Sequence, residues 1–232
     1  MMTKRKTVIS LIVNLLIFII TVVVFISYFF VEPNILIKNG WESLKYFTTD
    51  SNILTAIASL IVAVFDIRIL QKKADTLPKA VVLFKFIGTS CVTMTFGATV
   101  LFLMPFYGTM VIGGTLFIVH VSTPLMALLS FILLETVCHI RIREMLLALL
   151  PMYGYGMLYF IMVRVIGEAN GGWKDFYAYN RGGNYGLSWL LMGTGCIAAA
   201  ILPCVLHNVV LKISHKKAEK TTSAALQNDS HE

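Results

Sequence analysis

The sequence predicts an all-α, polytopic membrane bundle of six transmembrane helices with both termini in the cytoplasm. Three observations predict it. The 232 residues are 57% hydrophobic and only 13% charged, whereas a soluble domain is roughly 25% charged. Apolar runs of about 20 residues, enough to cross roughly 30 Å of hydrocarbon, recur along the chain at about 8–31, 48–70, 80–104, 110–135, 145–166 and 187–211. Lys and Arg alternate in density between successive connections, which sets the orientation.

The first run follows Lys4, Arg5 and Lys6. A basic start of this kind resembles a signal peptide, but the apolar core is too long and no A-x-A-like site follows Phe30, so it reads as an uncleaved anchor. Arg68, Lys72, Lys73 and Lys79 flank the second connection, Arg141 and Arg143 the fourth, and Lys212, Lys216, Lys217 and Lys220 the tail. The opposite side holds Lys38, Lys45, Arg164, Lys174 and Arg181. The richer side is cytoplasmic by the positive-inside rule, and an even number of spans returns the chain to it. The net charge of +7 is thereby explained without a nucleic-acid partner. Residues 1–213 form the membrane domain, and the polar segment 214–232 reads as a disordered cytoplasmic tail. No extramembrane catalytic domain fits, so any chemistry lies inside the bundle or at its rim.

In the second run, Thr48, Asn52, Thr55, Ser59 and Asp66 fall within roughly 60° of arc at about 100° per residue, with Ser51 beside them. Ile53, Ile57, Leu60 and Val64 occupy the opposite side. Small polar residues in a membrane helix either bond across helices or line a wet cavity; the length of this stripe favours a cavity. In the third run, Lys85 lies near the cytoplasmic start and is expected to snorkel, with Thr89 and Thr93 following on its face.

The fourth run carries His120 in F-I-V-H-V-S-T-P. A lone His in a helix is either a satisfied structural donor or a base. Pro124 has no N–H for the carbonyl of His120 four residues back, which loosens the helix there. With Asp66 and Glu135 at the cytoplasmic ends of their spans, Thr48 lies about 27 Å and His120 about 22 Å from that level. A hydroxyl and an imidazole then sit at similar depth. A neighbouring imidazole accepts the proton of a threonine as it attacks an ester carbonyl. Asn52, one turn below Thr48, is a candidate oxyanion donor.

The outer connection at 167–186 is rich in Gly and aromatic residues. It reads as an interfacial belt or as a lid whose Lys174, Arg181 or Arg164 attracts a fatty carboxylate. Tyr153, Tyr155 and Tyr159 are candidate cavity-lining residues. Cysteines 91, 138, 196 and 204 predict no disulfide framework, and Cys138 is either a plain helix-end residue or a lipidation site. His207 and His139 lie too far in depth from His120 to share a metal, so no metal or other cofactor is expected. There is no G-x-S-x-G elbow and no Walker-type loop.

At Lys45-Tyr46-Phe47-Thr48-Thr49-Asp50-Ser51-Asn52, and again from His120 to Pro124, the chain resembles the androgen-induced and androgen-dependent (tissue-factor-pathway-inhibitor-regulating) membrane proteins, and more closely their bacterial relatives. The resemblance covers the span layout of about residues 8–211. It implies an intramembrane threonine hydrolase of fatty-acyl esters in the cell membrane of a bacterium, with Thr48 as nucleophile and His120 as base. Thr49 is the competing nucleophile. Asn52, Ser51, Lys45, Tyr155 and Arg164 are the supporting or substrate-binding candidates. The implied partners are a membrane lipid ester and the bilayer. Two other readings stay open: a small-solute or lipid transporter working along the polar stripe through Asp66 or Lys85, and a non-catalytic lipid-binding bundle.

Overall fold

Six helices, each long and apolar enough to cross a membrane, make up the computed structural model, which describes residues 3–30, 40–180 and 183–229. They are α1 (Lys4–Ser27), α2 (Phe47–Leu70), α3 (Lys79–Leu103), α4 (Thr115–Leu133), α5 (Ile142–Ile166) and α6 (Tyr185–Asp229). No strand occurs among the described residues. Lys38 and Arg181 lie outside them. The Thr3 hydroxyl accepts the Lys6 N–H at 3.3 Å and caps α1, so this helix begins four residues before its apolar run. Helix α6 continues past the bundle through the polar residues 214–229.

Helix α3 is the most enclosed of the six and packs against α2, α4 and α6. Helix α1 lies along α2 and α4. Gly88 lets α2 and α3 approach closely: a Cβ there would stand 3.0 Å from the Thr55 Cα. Across this contact Thr55 Oγ1 donates to the Gly88 carbonyl at 2.8 Å. The outer faces are apolar, with Ile12, Val23, Ile57, Val64, Leu150 and Leu190 exposed, as lipid-facing surfaces require. Lys79 and Glu144 form an ion pair between the starts of α3 and α5.

The fourth helix starts later than its hydropathy predicts. Residues 104–114 are apolar, yet they fold as a single helical turn (Met104–Tyr107) and a 3-10 turn (Gly108–Ile112). Gly108 and Gly114 adopt φ of +59 and +56, backbone that a residue with a Cβ rarely takes. The chain therefore reverses here, and α4 begins at Thr115.

The expected snorkelling of Lys85 is also corrected. Its side chain is fully enclosed (0% exposed) and donates to Asn14 Oδ1 at 2.7 Å and to Ser59 Oγ at 2.6 Å. Asn14 Nδ2 in turn donates to Glu135 Oε1 at 2.9 Å, which also accepts from Ser130 Oγ at 2.6 Å. An amide thus relays between an ammonium and a carboxylate and ties α1, α2, α3 and α4 together at one end of the bundle. Burial of such charges is tolerated only when they are hydrogen-bonded. His207, stacked on Phe131, completes this end, its two ring nitrogens facing the Phe131 and Cys138 carbonyls at 3.2 and 2.9 Å.

Candidate functional site

The chain enters α2 through a 3-10 turn (Gly40–Lys45) and an extended Tyr46, whose side chain does not cap the helix. The first backbone donor, Phe47 N–H, instead reaches Tyr177 Oη at 3.1 Å. Thr48 follows, half-buried, in the first turn. Opposite it, α4 widens into a π turn at Ile118–Ser122, a local distortion frequent at functional sites. His120 sits inside that turn, buried.

The two side chains meet: Thr48 Oγ1 and His120 Nε2 are 3.4 Å apart. The other ring nitrogen, Nδ1, lies 2.6 Å from the Val111 carbonyl oxygen. A carbonyl only accepts, so Nδ1 carries the proton and the neutral ring presents its lone pair at Nε2, toward Thr48. The group that orients the imidazole is therefore a backbone carbonyl from the 3-10 turn Gly108–Ile112. No sequence signal marks it. The competing hydroxyl of Thr49 makes no bond to His120 among the described residues; Thr49 is buried on the helix face.

Asn52 does not offer an oxyanion donor. Its Nδ2 donates to the Thr48 carbonyl at 2.7 Å and to the Val119 carbonyl at 3.0 Å, which uses both amide hydrogens. In the π register the residue five positions after Val119 is Pro124, which lacks an N–H. The carbonyl without a helical donor is thus that of Val119, one residue before the position an α register gives. Asn52 supplies the missing donor and staples α2 to α4 beside the Thr48–His120 pair. Ser51 is likewise structural: its Oγ donates to the Thr48 carbonyl at 3.1 Å and bonds Thr95 Oγ1 at 2.9 Å.

A cavity of about 320 Å³ opens beside Thr48. Phe47, Met94, Phe102, Leu103, Leu191 and Met192 make most of its wall apolar, and Thr48, Thr95, Tyr155, Tyr159 and Tyr177 add hydroxyls. His120 is not in the lining, so Thr48 borders the cavity and the imidazole stands behind it. The polar stripe of α2 borders this cavity only at Thr48. Farther along, Thr55 bonds Gly88 and Ser59 bonds Lys85, so the rest of the stripe binds helices together.

Residues 176–179 of the outer connection cover the cavity. Asp175, which the sequence reading passed over, pins them. Its Oδ1 accepts the Tyr159 hydroxyl and the Tyr179 N–H, both at 2.8 Å, and its Oδ2 accepts the Asn180 N–H at 2.8 Å. Tyr155 lines the cavity, and its hydroxyl donates to the Lys45 carbonyl at 2.6 Å. The Lys45 ammonium pairs with Glu42 at the surface, 3.2 Å away, and Arg164 lies over the Tyr185 ring. Neither cation reaches the cavity wall, and Lys174 is not in its lining. Tyr153 also stands off it, donating to the Gly193 carbonyl at 3.2 Å.

The chain matches no protein-family model, no curated protein and no solved structure.

Proposed function

We propose that the protein is an integral membrane hydrolase that cleaves fatty-acyl lipid esters with Thr48 as nucleophile and His120 as general base. The observation that carries this reading is the Thr48 Oγ1 to His120 Nε2 approach of 3.4 Å, with Nδ1 held by the Val111 carbonyl at 2.6 Å. The separation is slightly long for a hydrogen bond, as is common at sites without substrate.

The steps follow from the geometry. Acyl chains occupy the apolar cavity and bring the ester carbonyl to Thr48. Thr48 Oγ1 bonds to the carbonyl carbon as its proton passes to His120 Nε2. The ester C–O bond then breaks, and the leaving alkoxide takes that proton. Water, deprotonated by the same nitrogen, attacks the acyl-threonine carbonyl and releases the fatty acid, restoring the Thr48 hydroxyl. The Val111 carbonyl stabilises the imidazolium in both halves, the role a carboxylate fills in a triad.

The motifs around Thr48 and His120 support kinship with the androgen-induced and androgen-dependent membrane hydrolases, and a multi-pass location in a bacterial cell membrane. The transporter reading has less behind it: Lys85 and Asp66 are both 0% exposed and neither lines the cavity at Thr48.

The test is purified protein in detergent or vesicles, given a long-chain ester and an alkyl fluorophosphonate. Wild type cleaves the ester and is labelled, while Thr48→Ala and His120→Ala lose both properties. Labelling that persists in both variants rejects the assignment.

A further inference from the structure

The oxyanion that forms in such a reaction needs a donor, and Asn52 has no hydrogen left to give. Resting on the hydrolase reading, we propose that Tyr177 is a further catalytic residue, whose phenol donates to the oxyanion formed when Thr48 attacks the ester.

Placement and rigidity support it. Tyr177 Oη accepts the Phe47 N–H at 3.1 Å, which fixes the phenol at the first turn of α2, one residue from the nucleophile. Tyr177 and Thr48 line the same cavity. The Tyr177 hydroxyl shares a side-chain hydrogen bond with the neutral Tyr155 phenol, a weaker acceptor than a developing oxyanion, toward which the Tyr177 proton can turn. Its neighbours are committed, Tyr155 to the Lys45 carbonyl and Tyr159 to Asp175, at 2.6 and 2.8 Å. The backbone is held as well: Tyr177 N–H donates to Tyr159 Oη at 2.9 Å. Aromatic contacts with Tyr46, Tyr155, Tyr159 and Phe176 enclose the ring. Burial pushes the phenol above its ordinary range, so it remains a protonated donor under physiological conditions. A preorganised donor in a dry site is the arrangement that stabilises developing charge most.

The bookkeeping of bonds is simple. As the Thr48 oxygen bonds to carbon, the carbonyl π pair moves onto oxygen and the Tyr177 O–H contact tightens without proton transfer. On collapse the pair returns, and the leaving alkoxide takes its proton from His120.

The experiment compares wild type with Tyr177→Phe. It measures hydrolysis of a long-chain ester, and binding of two inhibitors of matched length. A trifluoromethyl ketone adds threonine to form an oxyanion; an ether cannot. The expected result is a fall in kcat of about 10²-fold, the scale for one oxyanion donor, with KM nearly unchanged. Ketone affinity falls in parallel and ether affinity stays constant. Unchanged kcat, or equal loss of ketone and ether binding, overturns the role. Should Tyr177→Phe fold poorly, 3-fluorotyrosine at 177 keeps the shape and the Phe47 contact while strengthening the donor. Altered ketone affinity then supports the proposal, and none refutes it. Wild type that neither cleaves the ester nor binds the ketone refutes the hydrolase reading itself, and this role with it. Active wild type beside equally active Tyr177→Phe refutes only the role of Tyr177.

Discussion

His120 Nδ1 stands 2.6 Å from the carbonyl oxygen of Val111, and that contact decides which face of the imidazole is basic. It also predicts a pH profile. If His120 is the base, protonation of Nε2 removes the lone pair that would receive the Thr48 proton, so hydrolysis is expected to be lost as pH falls and present above the imidazole titration. Ester hydrolysis measured across pH is expected to rise with the loss of one proton and then plateau. A flat acid side contradicts a histidine base.

Asn52 supplies the donor that the Val119 carbonyl otherwise lacks, and ties it to the Thr48 carbonyl, which Ser51 Oγ also reaches. Asn52→Leu leaves the Val119 carbonyl unsatisfied in a buried setting, at a cost of about 1–3 kcal/mol. The expected outcome is lower thermal stability and a loss of hydrolysis larger than the loss of folded protein. Asn52→Asp retains the size but not the donors, and is expected to fare no better.

The relay from Lys85 through Asn14 to Glu135 predicts strong coupling. Removing one buried charge strands the other, a penalty of about 3–5 kcal/mol. Lys85→Met and Glu135→Gln are each expected to lower the unfolding midpoint. The double variant is expected to recover part of the loss, read as a non-additive term in a double-mutant cycle. Additive losses would mean the two groups do not interact.

At Gly88, where a Cβ would meet the Thr55 Cα at 3.0 Å, added bulk separates α2 from α3. Gly88→Val is expected to destabilise the bundle and break the Thr55 bond to the Gly88 carbonyl, with a cost on the scale of about 1–3 kcal/mol for overpacking. Gly97, beside which a Cβ meets nothing within 4 Å, provides the comparison: Gly97→Ala is expected to leave the midpoint unchanged.

Hydropathy made the helices legible because a bilayer needs long apolar runs whatever the tertiary detail. It misplaced the start of α4 because Met104–Ile112 is as apolar as a span, while glycine backbone angles decide the turn. Thr48 and His120 were legible from helix periodicity and depth, which compare positions along two separate axes. The Val111 carbonyl was not, since a backbone acceptor has no side-chain signature. Lys85 was misread for a related reason: snorkelling is a property of one helix, whereas Asn14 and Ser59 arrive from two others. Position in the Lys45–Asn52 block or near the outer connection does not fix where a long side chain turns: Lys45 pairs with Glu42 and Arg164 lies over Tyr185.

The π turn around His120 holds one residue more than an α-helical turn of the same reach. A single-codon deletion at Val121 is therefore a small genetic step with a large effect. The rod still spans its bilayer, since it shortens by only about 1.5 Å, but the widened winding that presents the imidazole is gone. On the hydrolase proposal, catalytically silent descendants of this architecture are thus one in-frame event away, with insertion into the lipid left intact.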